Sequence, residues 1–299
     1  MNTGTVYTLV IIATVFWGAN FVLAVPVMAD LHPLWAAALR FTIGSLAMLA
    51  FALWRKEPLL DPLRRHAGVY LLIGLVGIGG FNLLFFYALQ STSPTNAALI
   101  MATNPLITTL LAAVMLGERP SARQLAALPL ALLGVVVVIS GGSFERLREF
   151  QIAEGDLLML GADLTWAFYN VLGRRYMPAA SPITNTTLMM AAGTLFLLLV
   201  ALFNGGQLTL PGPNAASALL LMALGGTVLA YLFWNTGIAH LGAGRTALFL
   251  NLVPVFAMLT GMLGGAIPSH VQLIGGMLVI VGVSIAMMPR RRLASAPCA

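Results

Sequence analysis

The stretches that decide the fold are "ALIMATNPLITTLLA" (98–112) and "ALFLNLVPVFAML" (247–259), two apolar runs that each contain a proline and an amide. Proline removes one backbone hydrogen bond and clashes with the carbonyl four residues earlier, so it bends a helix. In hydrocarbon the freed carbonyl needs a partner, which places such a bend against protein or a wet cavity. We therefore interpret Pro105 and Pro254 as paired hinges, although prolines inside membranes also occur as simple kinks.

The composition around these stretches is that of a membrane protein. Of 299 residues, 60% are hydrophobic and 8% are charged, whereas soluble domains carry about 25% charged residues. The first apolar run is preceded by no lysine or arginine, so we expect a retained span and not a signal peptide. Stretches of about 20 apolar residues span a bilayer. They predict ten transmembrane helices, at 5–28, 33–54, 68–89, 95–116, 122–140, 155–173, 182–203, 215–239, 244–264 and 270–289.

Positive charges in the predicted loops give the orientation. Of the 15 lysines and arginines, twelve lie in loops on the side of the N-terminus. They are Arg55, Lys56, Arg64, Arg65, Arg119, Arg123, Arg174, Arg175, Arg245, Arg290, Arg291 and Arg292. The opposite loops hold Arg146 and Arg148, and Arg40 lies within a span. Because cytoplasmic loops are enriched in Lys and Arg, both termini are expected in the cytoplasm, and the excess positive charge does not indicate nucleic-acid binding.

The chain contains an internal repeat. A shift of 149 positions superposes Trp17 on Trp166, Pro33 on Pro182 and Pro105 on Pro254. With one residue dropped, "RPSARQLAALPLALLGV" (119–135) aligns with "IPSHVQLIGGMLVIVGV" (267–283). Five spans per copy is an odd number, so the second copy is expected upside down. Inverted repeats are typical of transporters. We predict an all-α integral membrane protein with repeats at 1–143 and 149–292 and a cytoplasmic tail at 293–299.

The motifs resemble the drug/metabolite transporter superfamily, and within it the EamA-type ten-span carriers. The resemblance covers essentially the whole chain and is carried by "FWGANF" (16–21), "LWAAALRF" (34–41) and the tract 88–124 that ends in "LGERPSARQ". The second copy lacks the residues that match Glu118 and Arg119. The resemblance implies a two-repeat bundle with a central cavity that exports amino acids, drugs or other metabolites. The opening motif and the many aromatics are similar to those of YddG-type amino-acid exporters.

Aromatic and amide side chains at helical spacing are the candidate substrate-binding residues. They are Trp17, Asn20, Phe21, Asn82, Phe86, Tyr87, Trp166, Tyr169, Asn170, Tyr231, Trp234, Asn235 and Phe249. Aromatics near span ends are also typical of an interfacial belt. Amides in mid-span favour a watered cavity or helix–helix hydrogen bonds, since an unpaired amide is costly in hydrocarbon. For Asn20, Asn82 and Asn235 we expect the cavity.

Asp163 is the carboxylate that lies deep in a predicted span. It is either a proton or amine site, or a structural residue that caps a helix break or pairs with Arg40. The sequence predicts no cofactor and no metal site, because Cys298 is its single cysteine and "HExxH" is absent.

The leading hypothesis is a secondary transporter that exports amino acids, including aromatic and other apolar ones, by alternating access, and not an enzyme. The alternatives are a multidrug or other metabolite carrier of the same fold, a membrane channel, and an intramembrane enzyme. The expected partners are a small amphipathic solute and membrane lipid, and no nucleic acid. The expected location is the bacterial cytoplasmic (inner) membrane. Small-residue runs at 74–80 and 261–265 leave open a homodimer or packing within one chain.

Overall fold

A computed structural model of the protein describes residues 1–88, 90–92, 100–140, 143, 145, 154–204, 206–265 and 267–287. Within these ranges the chain is helical and contains no strand. The helices of the N-terminal half are α1 (Thr3–Asp30), α2 (Pro33–Trp54), α3 (Leu60–Ala88), α4 (Asn104–Leu116) and α5 (Ala122–Ser140). Those of the C-terminal half are α6 (Glu154–Tyr176), α7 (Pro182–Asn204), α8 (Pro213–Leu241), α9 (Ala243–Leu263) and α10 (His270–Met287).

The length and composition of these helices divide them into three groups. Among the described residues, six helices are long and apolar enough to cross a membrane: α1, α2, α3, α7, α8 and α9. Three shorter apolar helices lie within α4, α5 and α10. Helix α6 belongs to neither group, and it carries three carboxylates and two arginines. The count of ten membrane-spanning helices therefore stays a prediction, as does the inversion of the second repeat. The tail predicted at 293–299 lies outside the described residues.

Matching capping boxes begin α5 and α10. The backbone N–H of Ser121 donates to Oε1 of Gln124 (2.8 Å), and the N–H of Gln124 donates to Oγ of Ser121 (3.3 Å). Ser269 and Gln272 form the same reciprocal pair at 2.9 and 3.2 Å. Each box satisfies two backbone donors at a helix start. The aligned "PSARQ" and "PSHVQ" thus have a common physical cause, which is helix initiation.

Helices α2 and α7 pack against each other in opposite directions. Nε1 of Trp35 at the start of α2 donates to the carbonyl of Gly206, which lies just beyond the end of α7 (3.1 Å). Midway along the pair, the hydroxyls of Ser45 and Thr194 are 2.7 Å apart. Beyond the end of α2, Glu57 accepts a hydrogen bond from Ser181 before α7 begins (2.6 Å). Ser45 and Thr194 are 149 positions apart in the chain, so equivalent residues of the two copies touch.

Helices α5 and α10 form a second close antiparallel pair. A Cβ added to Gly134 would lie 2.7 Å from the carbonyl oxygen of Gly275 and 2.7 Å from the backbone N of Val279. At the other end of the contact, a Cβ on Gly282 would lie 2.9 Å from the backbone N of Ala131. Only glycine permits backbones to approach so closely, because any side chain would occupy the space of the facing helix.

Two glycine-rich segments adopt π-helical geometry, Gly74–Gly80 in α3 and Met222–Leu229 in α8. They begin 148 positions apart, close to the spacing of the repeat. A Cβ on Gly77 would lie 2.0 Å from Cδ2 of Tyr169, so this segment packs against α6 of the same chain. The run at 74–80 therefore serves packing within the chain, and a homodimer stays a prediction.

The sequence had indicated that Pro105 and Pro254 bend continuous α-helices, and the structure shows a different arrangement. Pro105 lies in the first turn of α4, directly after a turn at Ala102 and Thr103. Pro254 lies in the first turn of the α-helical part of α9, after a 3₁₀ segment at Leu248–Asn251. Proline is tolerated in a first turn because its missing N–H would have no partner there. Each proline thus marks a break at which a helix restarts, and a hinge role for Pro105 and Pro254 stays a prediction.

Candidate functional site

Five aromatic rings meet at the centre of the bundle and are called the aromatic cluster below. They are Trp17 of α1, Trp166 and Tyr169 of α6, and Tyr231 and Trp234 of α8. The ring centroids of Trp17 and Trp166 are 5.4 Å apart at an interplanar angle of 82°, and those of Trp17 and Trp234 are 4.9 Å apart. Trp17 and Trp166 are equivalent residues of the two copies, and both point into the protein.

Hydrogen bonds fix the orientation of these rings. Nε1 of Trp17 donates to the carbonyl of Gly226 (3.0 Å), and Nε1 of Trp234 donates to Oδ1 of Asn170 (2.7 Å). The Tyr169 hydroxyl donates to Oδ1 of Asn235 (2.7 Å). Asn170 and Asn235 therefore make helix–helix hydrogen bonds, whereas a watered cavity had been expected for Asn235.

The remaining aromatic hydroxyl is bound in the same way. Asn82 of α3 forms a side-chain hydrogen bond with Tyr231, and its Nδ2 also donates to the carbonyl of Ile78 (2.8 Å). Nδ2 of Asn235 donates a hydrogen bond to Oγ1 of Thr186 on α7 (3.1 Å). Helices α3, α6, α7 and α8 are thus tied together around the cluster by neutral polar groups.

Three buried polar atoms beside the rings have no hydrogen-bond partner in the described structure: Oδ1 of Asn20, Nε1 of Trp166 and Nδ2 of Asn170. Buried polar groups are paired in the great majority of cases, and an unmade hydrogen bond costs about 1–3 kcal/mol. Residues around the rings thus leave one acceptor and two donors without a partner, which is a feature suited to a polar ligand.

Four predicted site residues lie outside the aromatic cluster. Phe21 and Tyr87 lie on the bundle surface, with exposed fractions of 55% and 37%. Phe86 is half-buried with its ring against Phe85, and Phe249 is buried with its ring stacked on Tyr7 at 5.7 Å. The structure therefore places these four away from the aromatic cluster, and their contact with a solute stays a prediction. Helical spacing places a residue on a face, but the neighbouring helices decide how much of that face is covered.

Two rings were missed by the sequence analysis, and Arg40 had been left out of the predicted site. The rings of Phe81 and Phe41 lie 5.2 Å from Trp166 and 5.8 Å from Tyr231. Arg40 donates from Nε to Oγ1 of Thr227 (2.8 Å) and from Nη2 to the carbonyl of Gly226 (3.1 Å). The signal for Arg40 was its charge inside an apolar span, since such residues need a partner.

Asp163 binds the helix break that precedes α4. Its Oδ1 accepts a hydrogen bond from Nδ2 of Asn104 (2.7 Å), and its Oδ2 accepts one from the Thr103 hydroxyl (3.1 Å). Asn104 also donates to the Asp163 carbonyl (2.9 Å). The side chain is fully buried. The sequence analysis had given two structural roles for Asp163, capping a helix break and pairing with Arg40. The observed contacts match the first role, since the partners are Asn104 and Thr103 at the start of α4.

Two cavities of the described structure lie away from the aromatic cluster. One has a volume of about 220 Å³ and lies beside Thr109 and Arg245, and the other has about 540 Å³ and lies beside Arg65 and Leu172. Neither is lined by a residue of the aromatic cluster, whose rings contact one another. The central cavity that the resemblance implies stays a prediction.

Long apolar helices around a core of aromatic and amide side chains define a multi-pass membrane protein. The chain belongs to the EamA-like transporter family, whose sequence model matches residues 4–140 and 153–288. It is therefore a transporter of the drug/metabolite transporter superfamily, in agreement with the resemblance in its motifs. The family matches twice, once in each half of the chain.

Several relatives share nearly the full length of the chain. The "Uncharacterized transporter YyaM" of Bacillus subtilis is 38% identical over 93% of this chain and 92% of the relative. A "Probable amino-acid metabolite efflux pump" of Salmonella typhimurium is 28% identical over 93% of each chain. A "Probable terminal-alkyne amino-acid exporter" of Streptantibioticus cattleyicolor is 28% identical over 86% of each chain. A crystal structure with 24% identity has the same fold, with a TM-score of 0.81 over 95% of this chain and 97% of the other.

Proposed function

We propose that this transporter exports amino acids, including aromatic and other apolar ones, and related metabolites by alternating access. The observation that carries the proposal is the aromatic cluster together with the three unpartnered polar atoms beside it. Stacked and edge-on rings form an apolar surface that accommodates an aliphatic or aromatic side chain. Most binding sites for small molecules combine such a surface with a few polar groups that set orientation.

The unpartnered atoms match the two ends of an amino acid. Oδ1 of Asn20 accepts hydrogen bonds and suits an ammonium group. Nε1 of Trp166 and Nδ2 of Asn170 donate and suit a carboxylate. A solute that pairs all three atoms removes the cost of leaving them buried without partners.

Alternating access needs two related conformations, and an inverted repeat supplies them. Antiparallel contact between equivalent helices, α2 with α7 and α5 with α10, is what a two-fold axis perpendicular to the helices would produce. The repeated π-helical segments and the two helix breaks support the same arrangement. Repeats at 1–143 and 149–292 are accordingly part of the proposal.

The names of two relatives point in the same direction, since one is called an amino-acid metabolite efflux pump and another a terminal-alkyne amino-acid exporter. By extension we place this chain in the bacterial cytoplasmic membrane with both termini in the cytoplasm. The charge distribution in the loops supports that orientation. A homodimer, and a proton or amine role for Asp163, stay predictions.

The proposal is tested by uptake of labelled leucine, phenylalanine, tryptophan and glutamate into sealed proteoliposomes, with and without a pH gradient. We expect saturable uptake of the three apolar amino acids above that of protein-free liposomes. No amino-acid uptake above that background, with transport of cationic drugs instead, would identify a multidrug carrier. Flux that rises linearly with concentration would identify a channel.

A further inference from the structure

A polar cavity lies where the end of α4 meets the turn between α8 and α9, and no residue of the aromatic cluster lines it. It has a volume of about 220 Å³ and its polar lining comprises Thr109, Glu118, Arg119, Gln124 and Arg245. Pockets for drug-sized ligands measure about 300–1,000 Å³. This cavity therefore fits a single polar group, such as a carboxylate with a short attached chain.

Two buried lining atoms have no partner among the described residues, Nε of Arg245 and Oγ1 of Thr109. Thr109 is 4% exposed. A guanidinium N–H is a charged donor, and a buried charge needs a paired and hydrogen-bonded partner. Thr109 adds a hydroxyl that donates or accepts. Both groups are thus available to a ligand.

The charge of the cavity favours an anion. Glu118 is the acidic lining residue, and its Oε1 lies 3.4 Å from Nε of Arg174, so its charge already has a partner. Arg119 and Arg245 have no carboxylate partner in the part of the chain that the structure describes. The lining therefore carries two uncompensated positive charges. Guanidinium groups bind carboxylates with two parallel hydrogen bonds.

We propose that this cavity is a binding site for the carboxylate group of a small organic anion, held by Arg245, Arg119 and the Thr109 hydroxyl. Glu118 at its edge disfavours dianions such as hydrogen phosphate, because like charges repel. The site is separate from the aromatic cluster, and its occupancy does not depend on whether amino acids are transported. A carboxylate from solution and the phosphate of an anionic lipid both match two arginines, and the experiment below separates them.

The experiment measures thermal unfolding of the full-length protein in a non-ionic detergent, free of anionic lipid, with sodium acetate titrated against sodium chloride at equal sodium concentration. A ligand that binds the folded state raises the unfolding temperature in a saturable way. We expect such a rise with acetate and not with chloride. Phosphate at pH 7.5 is expected to give a weaker rise than acetate. No acetate-specific rise in the unmodified protein would overturn the proposal.

Variants assign the effect to the cavity. Arg245→Gln and Thr109→Val each remove an unpartnered group of the cavity. Arg119→Gln removes an exposed guanidinium, and this substitution carries little risk of misfolding because the side chain is at the surface. We expect the apparent affinity for acetate to fall roughly tenfold or more in Arg245→Gln, the scale of one charged hydrogen bond. Arg64→Gln is the matched control, because Arg64 is exposed and does not line the cavity.

Two results would reject the site as described. Equal acetate affinity in Arg245→Gln, Arg119→Gln and the unmodified protein would place binding elsewhere. Loss of the acetate effect when phosphatidylglycerol, but not phosphatidylcholine, is added to the micelles would assign the cavity to a lipid headgroup.

Discussion

At the scale of single residues, the unpaired Trp166 indole allows a test of the proposed ligand contact. Its Nε1 is buried without a partner, while its ring contacts Trp17 and Tyr169. Replacement by phenylalanine keeps an aromatic ring in the cluster, but it removes the donor and leaves a small cavity. Substitution there tests the proposed carboxylate contact.

Trp166→Phe is therefore expected to raise KM for apolar amino acids roughly tenfold or more, the value of one hydrogen bond to a charged group. Unfolding temperature in detergent should also fall, because the smaller ring leaves a cavity in the buried cluster. Trp54→Phe, at an exposed tryptophan, is the matched control. An unchanged KM in the proteoliposome assay would remove Trp166 from the binding site.

Asp163 offers a contrasting test at the same scale. Asp163→Ala removes the buried carboxylate that accepts from Asn104 and Thr103 and leaves them only their bonds to the carbonyls of Asp163 and Ile100. We expect a loss of about 1–3 kcal/mol in folding stability, because a buried donor of Asn104 loses its acceptor. Asp61→Ala, which removes an exposed ion pair with Arg65, should have little effect in the same thermal unfolding assay. Equal stability of both variants would contradict a capping role.

The proton alternative for Asp163 has its own readout. Asp163→Asn retains an acceptor for Asn104, and it removes the charge. If Asp163 carries the proton, this variant should abolish the effect of the pH gradient on transport and leave exchange intact. Gradient dependence equal to that of the unmodified protein would leave Asp163 with the structural role alone.

At the scale of elements, the close backbone contact between α5 and α10 can be tested. Gly134→Ala would place a Cβ 2.7 Å from the Gly275 carbonyl, and overpacking of this kind costs about 1–3 kcal/mol. Gly68→Ala in α3 is the control, because a Cβ there meets nothing within 4 Å. Thermal unfolding should show a lower midpoint for Gly134→Ala and an equal or higher one for Gly68→Ala, since alanine favours helix. Equal midpoints for the two variants would contradict the close packing.

At the scale of the whole molecule, the inversion of the second repeat is testable with two cysteines 149 positions apart. Arg55 begins the turn after α2 and Asn204 ends α7, and both are exposed. In a Cys298→Ser background, an impermeant thiol reagent added to intact cells should label Asn204→Cys and leave Arg55→Cys unlabelled until the membrane is opened. Labelling of both positions from the same side would mean that the repeats are parallel.

Elements could be predicted from the sequence because their signals are local. Eight of the predicted spans begin within two residues of an observed helix. Helix α3 starts at Leu60 and not at 68, and α4 starts at Asn104 and not at 95, with residues 93–99 outside the described part. Aromatic residues were found by spacing, but Phe21 and Tyr87 share that spacing and lie on the surface. Periodicity does not report which neighbour covers a face, so Phe81 and Phe41 were missed.

The sequence by itself determined the helical class, the family and the repeat, because hydrophobic length, loop chemistry and a constant offset are properties of the chain in one dimension. Tertiary structure alone decided that Trp17 meets Trp166, that Asp163 binds Asn104, and that the prolines restart helices. Those facts depend on which helices pack together and at what depth. Helix packing is determined by close contacts at glycines and by hydrogen bonds between buried polar atoms. Residues that are distant in sequence make these contacts only in the folded chain.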